Sequence, residues 1–241
     1  MSGAWEWVRS TLFGRPPAEP QSGEETAFLA SHAQMKELLA ETVTPELTGF
    51  SYDGGYLWYS PWEDRCRKVV RVYLLKGAGA VFQWGLCFDF LPAVNGEGRA
   101  FHYQRTDKSA GLQLFCWPPD HWESPGGRSA PQTCRFSLFG QDMKAVERRL
   151  SEAFQEARLL FEPWFDHCGS LAGALAEARR QAEDPAARFN WPRPGYVLAF
   201  LLAANGRREE GLMALEAFLD REGKSWPLEG KDKLRKSLMD L

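Results

Sequence analysis

The stretch VVRVYLLKGAGAVFQWGLCFDF, residues 69–90, decides the fold, because apolar and polar residues alternate on both sides of a glycine-containing turn. Alternation of this kind predicts half-buried β-strands, and a short turn between two such runs predicts a hairpin. A loop of Gly77-Ala78-Gly79 sets Lys76 opposite Ala80 and sorts the large apolar residues onto one side of the sheet. Gly79 would then supply the left-handed backbone that the last residue of such a loop needs.

The other side of this hairpin is polar. The predicted register pairs Tyr73 with Gln83 and Arg67 with Asp89, and it places Arg71 on the same side. We expect these side chains to form a docking face for a charged protein partner. Two alternatives stay open, namely an ordinary solvated sheet face and a face covered by the C-terminal helices.

The rest of the chain supplies further strands and a helix to cover the apolar side. Strands are predicted at 56–60, 66–76, 80–90, 100–105, 111–117 and 133–139, and their short links favour antiparallel pairing. Helices are predicted at about 25–42 and 141–165, and Pro163 is expected to end or bend the second. The second helix carries an apolar stripe formed by Met143, Val146, Leu150, Phe154, Ala157 and Phe161.

Beyond residue 168 the pattern is helical, with segments at 170–184, 198–223 and 231–241 and a break at Asn205-Gly206. We therefore predict an α+β protein with an antiparallel β-sheet of about five or six strands, packed with helices and followed by an α-helical tail. The predicted division is an N-terminal helix and linker at 1–24, an α+β domain at 25–168 and a helical region at 169–241.

Composition limits the classes of partner. A net charge of -3 and a pI of about 5.9 argue against nucleic-acid binding, which needs a basic surface. The first residues carry Glu6 and Arg9 inside their apolar stretch, so no export signal is expected, and no apolar run is long enough to span a membrane. The five cysteines lack C-x-x-C spacing, which is typical of free thiols in a reducing cytoplasm.

The stretch CWPPDHWESPGG, residues 116–127, collects groups that could hold a metal ion. Pro118 and Pro119 hold Cys116 away from the neighbouring Asp120 and His121, so we predict neither a metal site nor a cofactor. We predict instead that an exposed loop at 118–131 with aromatic and acidic side chains contacts a partner. The predicted contact residues are Asp120, His121, Trp122 and Glu123.

Motifs of catalysis are missing from the sequence. The Gly77-Ala78-Gly79 segment lies between two strands, whereas phosphate-binding loops lie between a strand and a helix. No G-x-S-x-G elbow occurs, and no cysteine has the sequence context of a known nucleophile. We therefore predict a protein that is not an enzyme, with one alternative, an unrecognised enzyme that uses His102 or His121.

Two segments resemble known families. LAFLLAANGRREEGLMALEAFL, residues 198–219, resembles a tetratricopeptide-type helical hairpin, which implies an adaptor that binds a partner through this hairpin. Residues 35–95, with Gly49-Phe50, Trp58-Tyr59 and the aromatic strand 82–90, resemble a family of small bacterial domains of unknown function. Some of its members are similar to immunity proteins encoded beside polymorphic toxins.

The second resemblance implies a non-enzymatic, cytoplasmic binding protein of bacteria. Our leading hypothesis is an immunity protein that neutralises a cognate toxin by occluding its active site with the 118–131 loop and the polar sheet face. On this hypothesis Asp120 and Glu123 mimic the negative charge of the toxin's substrate.

Overall fold

The computed structural model describes residues 28–75, 79–95, 98–101, 110–118 and 133–241. Its six α-helices within these residues are α1 (His32–Thr42), α2 (Met143–Cys168), α3 (Leu171–Glu183), α4 (Pro194–Ala204), α5 (Arg208–Arg221) and α6 (Leu228–Met239). The strands within them are β1 (Phe28–Leu29), β2 (Ser51–Tyr52), β3 (Leu57–Tyr59), β4 (Cys66–Leu74), β5 (Gly79–Phe88), β6 (Ala93–Val94), β7 (Ala100–Phe101), β8 (Leu114–Cys116), β9 (Arg135–Ser137) and β10 (Phe139–Gly140). The predicted α+β class is confirmed.

The main sheet is organised around β5. Its strand order is β2-β3-β4-β5-β8, and β9 also pairs with β5. The first residues of β5 pair with β9 at Gly79 and Ser137, and its later residues pair with β8 at Trp84 and Cys116. Every residue of β5 is buried, so both faces of this strand are covered.

The chain divides into two compact units. The first takes its described residues from within 1–58, 71–83 and 117–160, and the second from within 59–70, 84–116 and 161–241. β4, β5 and α2 each contribute residues to both units. The domains predicted from the sequence are continuous segments of the chain, whereas each of these units combines several separate segments.

The core of the first unit forms between the sheet and α2. The Phe82 ring lies 5.8 Å from that of Phe136 and 5.5 Å from that of Phe154 on α2, measured between centroids. Val146 and Leu150 of the predicted stripe are also fully buried. In this unit the helix therefore covers the apolar side of the sheet, as predicted.

The core of the second unit includes the end of α2 and the C-terminal helices. Trp84 lies 6.3 Å from Phe161, and α4 packs against both α3 and α5. Tyr196 on α4 lies 5.5 Å from Phe218 on α5, and its hydroxyl donates a hydrogen bond to the Pro92 carbonyl oxygen (2.6 Å). This bond ties α4 to the segment that follows β5.

The register of the β4–β5 hairpin differs from the prediction by two residues. The N–H of Leu75 donates to the carbonyl oxygen of Gly79 (2.8 Å), and that of Asp89 donates to Arg65 (3.1 Å). Gly79 therefore belongs to β5 instead of the loop, and the predicted pairings of Arg67 with Asp89 and of Tyr73 with Gln83 are both wrong. A two-residue shift keeps every side chain on its face, so apolar sorting favours neither register over the other.

Two predicted helix boundaries are also wrong. The first helix begins at His32 and not near residue 25, because the Ser31 side chain accepts from the Gln34 N–H and caps it. The residues before this cap form β1, which pairs with β10. Helix α2 continues through Pro163 to Cys168, so Pro163 does not end it, because burial of Phe165 and Cys168 outweighs the hydrogen bond that proline removes. The expected alternative, a bend at Pro163, stays a prediction.

The predicted break in the C-terminal helices is confirmed. Helix α4 ends at Ala204 and α5 begins at Arg208, with Gly206 between them at a φ of 78°. That left-handed conformation favours glycine, as expected at the end of a helix. Predictions for 1–24, for the loop 76–78 and for strand residues 102–105 lie outside the described residues.

Two glycines of β5 provide a test of the packing around it. A Cβ at Gly85 would overlap the Leu114 carbonyl oxygen and lie 2.6 Å from the Phe115 Cβ, whereas one at Gly79 would mainly approach the flexible end of Arg135 (3.2 Å). We expect Gly85→Ala to lower the free energy of unfolding by about 1–3 kcal/mol, and Gly79→Ala to lower it much less. Urea unfolding midpoints of the two variants measure this, and equal midpoints would contradict the described packing.

Candidate functional site

Two of the five residues predicted for the polar sheet face are buried, which argues against the alternative of an ordinary solvated face. Arg67 on β4 is 4% exposed, and Gln83 on β5 is fully buried because both sides of β5 are covered. Arg71 and Asp89 are partly buried, and Tyr73 is 44% exposed. Tyr73 is therefore the most accessible member of the predicted set.

Four residues of the first unit form what we call the Tyr73 cluster, namely Arg71, Tyr73, Gln83 and Trp117. The Arg71 Nε donates to the Gln83 Oε1 (2.7 Å), and the Arg71 guanidinium lies 5.5 Å from the centre of the Tyr73 ring. Trp117 packs against Tyr73 in an edge-to-face arrangement, with 5.8 Å between ring centroids. The structure thus brings together three of the five predicted sheet residues.

The cluster holds a charge at the edge of a buried region. Burial lowers the pKa of the Arg71 guanidinium from its ordinary value, although a guanidinium keeps its proton at neutral pH. Gln83 anchors this charge from within the sheet, and Tyr73 lies beside it with nearly half of its surface open to solvent. The sequence did not predict Trp117 as a site residue, although it lies immediately before the predicted 118–131 loop.

Arg67 and Asp89 have different surroundings in the second unit. The Arg67 guanidinium lies 4.5 Å from the Tyr59 ring centre and 4.6 Å from that of Trp62. Asp89 forms an ion pair with Arg65 (3.1 Å). Because Arg67 is enclosed by aromatic rings, we assign it to the packing of this unit, where cation–π contacts stabilise a buried guanidinium.

The second unit also contains a buried carboxylate. Glu177 is 5% exposed and accepts hydrogen bonds from Arg180 (2.7 and 2.8 Å) and from the Gln181 Nε2 (2.8 Å). Gln181 also donates to the Phe115 carbonyl oxygen and accepts from Asn190. Burial opposes the charge of Glu177, but the hydrogen bonds from Arg180 and Gln181 outweigh it and hold its pKa below the ordinary value.

Four cysteines of this unit lack the properties of reactive thiols. Burial raises the pKa of each thiol to about 12, so each is protonated at neutral pH and lacks the thiolate that nucleophilic chemistry requires. Within the described residues no group of three or more His, Cys, Asp and Glu side chains is arranged to hold a metal ion. The four residues are Cys66, Cys87, Cys116 and Cys168.

An aromatic pocket of about 190 Å³ also lies in the second unit. Its walls include side chains from α4 and α5 and from the segments before and after them. We define this aromatic pocket by Gln113, Trp191, Arg193, Tyr196, Phe218 and Trp226.

The remaining predicted residues lie outside the described part of the chain. This applies to the loop residues Asp120, His121, Trp122 and Glu123 and to His102, the other candidate for catalysis. Their partner-binding and catalytic roles stay predictions.

Comparisons with protein-family models, with curated proteins and with solved structures found no match for this chain. None of the helices in the described residues combines the length and the apolar character needed to cross a membrane. The geometry of the sites is therefore the basis for a functional proposal.

The Glu177 carboxylate predicts a pH dependence of stability. The pKa of Glu177 is lower in the folded state than the unfolded value of about 4.3. The charged carboxylate therefore stabilises the fold above that pH, and this stabilisation is lost as the pH falls. We expect Glu177→Gln to lower the free energy of unfolding at neutral pH by about 1–2 kcal/mol. The difference from the unsubstituted protein should shrink between about pH 5 and pH 3, as measured by urea unfolding.

The matched control is Glu210→Gln. Glu210 pairs with Arg207 at the protein surface, where solvent screens the interaction, so we expect little change in stability at any of these pH values. A difference for Glu177→Gln that stays constant as the pH falls would show that the carboxylate charge does not stabilise the fold.

Proposed function

We propose that the protein is a non-catalytic binding protein whose partner is another protein. The observation that carries this proposal is the half-exposed Tyr73 ring, held between Arg71 and Trp117. Tyrosine, tryptophan and arginine are the residue types that most often dominate the binding energy of protein interfaces. We therefore assign the partner contact to the Tyr73 cluster.

The cluster is suited to binding because its side chains are already held in place. Gln83 is fully buried and fixes Arg71 through a 2.7 Å hydrogen bond, and Trp117 limits the motion of Tyr73. Side chains that are ordered before binding lose less conformational freedom when a partner arrives. An exposed ring beside a guanidinium also offers both an apolar surface and a donor of hydrogen bonds.

The more specific form of the proposal is an immunity protein that neutralises a cognate toxin by covering its active site. It is supported by the resemblance of residues 35–95 to bacterial domains that include immunity-like members, since Arg71, Tyr73 and Gln83 lie within that stretch. A partner surface with acidic and apolar groups would complement Arg71 and Tyr73.

An adaptor is the second candidate, and the packing of the C-terminal helices favours it. Helices α3 to α6 pack one on the next, and α4 and α5 form the hairpin that resembles a tetratricopeptide unit. Stacked helical hairpins bind peptides in many proteins. On this alternative the main contact lies on the helices of the second unit instead of on the Tyr73 cluster.

Single-residue variants distinguish the two candidate functions better than a deletion of residues 169–241 does. That deletion would remove Gln181 and Tyr196, which donate to the carbonyl oxygens of Phe115 and Pro92 in the same unit. Loss of binding could then result from unfolding of the unit.

The proposal predicts the effect of Tyr73→Ala on partner binding. A tagged chain is used to capture the partner from the cells that encode it, and the affinity is then measured by calorimetry with the purified partner. We expect the substitution to raise Kd about tenfold, since truncation of an interface tyrosine costs roughly 1–2 kcal/mol. The immunity form further predicts that the captured protein is toxic and loses its activity on binding.

Leu159→Ala is the matched control for this measurement. Leu159 is an exposed apolar residue of α2 in the same unit, and it belongs to no cluster described above. We expect its substitution to leave Kd unchanged. Equal Kd values for the unsubstituted chain and Tyr73→Ala would overturn the assignment to the Tyr73 cluster, and failure to capture any protein would overturn the proposed function.

A further inference from the structure

The aromatic pocket has a buried floor and an accessible mouth. Tyr196 and Phe218 are each 2% exposed and form part of the floor, whereas Trp191 is 48% exposed. An exposed tryptophan beside a pocket of other aromatic rings provides an apolar surface that continues into the cavity. The shape therefore favours an apolar group that enters past Trp191.

The size of the pocket limits what can enter. Its volume of about 190 Å³ exceeds the cavity of about 150 Å³ that is known to accept benzene. It is smaller than the pockets of about 300–1,000 Å³ that bind drug-sized ligands. The pocket therefore has room for one ring or one branched side chain.

Among the polar side chains of the pocket, Arg193 favours a ligand that accepts hydrogen bonds. Gln113 is 3% exposed, and its amide accepts from the Phe88 N–H and donates to the Leu91 carbonyl oxygen, so its position is fixed. Arg193 is the charged residue among the described lining residues, and none of these is acidic. Its Nε lies 2.9 Å from Glu222, and a guanidinium carries five N–H donors in a rigid arrangement.

The geometry points to the aromatic pocket as an anchor site for one aromatic side chain that lies next to a carboxylate in a partner protein. The ring enters past Trp191 and lies against Phe218 and Trp226, whose rings contact each other (5.6 Å between centroids), and the carboxylate lies at the mouth near Arg193. The inference that a partner protein supplies this side chain rests on the proposed function. The fit of the pocket to an aromatic acid is independent of the proposed function, because it follows from volume, lining and charge.

The first test uses a small probe with the same chemistry, N-acetyl-L-phenylalaninate, and its neutral amide for comparison. The ten tryptophans are replaced by 5-fluorotryptophan, and the fluorine signals of Trp191 and Trp226 are assigned with Trp191→Phe and Trp226→Phe. We expect a saturable shift of both signals, with the carboxylate probe binding about fivefold more tightly than the amide. Arg193→Gln should remove this preference.

A second variant blocks the pocket without removing a structural contact. Ala93 lines the pocket and is partly exposed, so Ala93→Phe fills the space and should abolish the shifts while leaving the melting temperature nearly unchanged. Met213→Ala, an exposed residue of α5 away from the pocket lining, should leave the titration unaltered. Absence of a shift in the unsubstituted chain, or the same shift in Ala93→Phe, would overturn the pocket as an aromatic-acid site.

Binding measurements with the captured partner protein show which molecule supplies the aromatic ring. If the probe binds and Ala93→Phe raises Kd for the captured protein about tenfold, the occupant is a side chain of that protein. If the probe binds and Kd for the captured protein is unchanged, the assignment to a protein is overturned in favour of a free aromatic acid. Failure to capture any protein overturns the proposed function and the protein occupant together, whereas the titration still decides the ligand chemistry of the pocket.

Discussion

Burial of strand β5 on both faces is the constraint on which the rest of the structure depends. A strand of an antiparallel sheet commonly exposes one face, but each residue from Gly79 to Phe88 is enclosed. A polar residue on or beside this strand is then stabilised by a partner within the protein, since a buried polar group without one is costly. Gln83 accepts from Arg71, and Arg67 lies between Tyr59 and Trp62.

The sequence predicts most of the fold because its periodicities are clear. The apolar stripe of residues 141–165 and the alternation in 69–90 correctly predict that a helix covers the sheet. The register of the hairpin could not be predicted from the alternation, because two registers that differ by two residues place the same side chains on each face. The cap at Ser31 and the continuation of α2 through Pro163 depend on local hydrogen bonds and on tertiary burial, which outweigh periodicity.

The candidate site was predictable only in part. Alternation identified Arg71, Tyr73 and Gln83 as neighbours, and the structure brings them together with Trp117. It could not predict that Gln83 is buried, because a pattern of period two reports which face a residue occupies and not what covers that face. The aromatic pocket was also missed, since its lining comes from segments between residues 93 and 226 that are distant in sequence.

A photo-cross-linking experiment tests the central claim most directly, because it reports contact and not only affinity. Tyr73→p-benzoylphenylalanine and Leu159→p-benzoylphenylalanine place the same reactive group at two exposed positions of the first unit. Irradiation in the cells that encode the protein should join a single partner protein to the chain substituted at position 73 and none to the chain substituted at position 159. Equal cross-linking at the two positions, or none at position 73, would contradict a partner contact at the Tyr73 cluster.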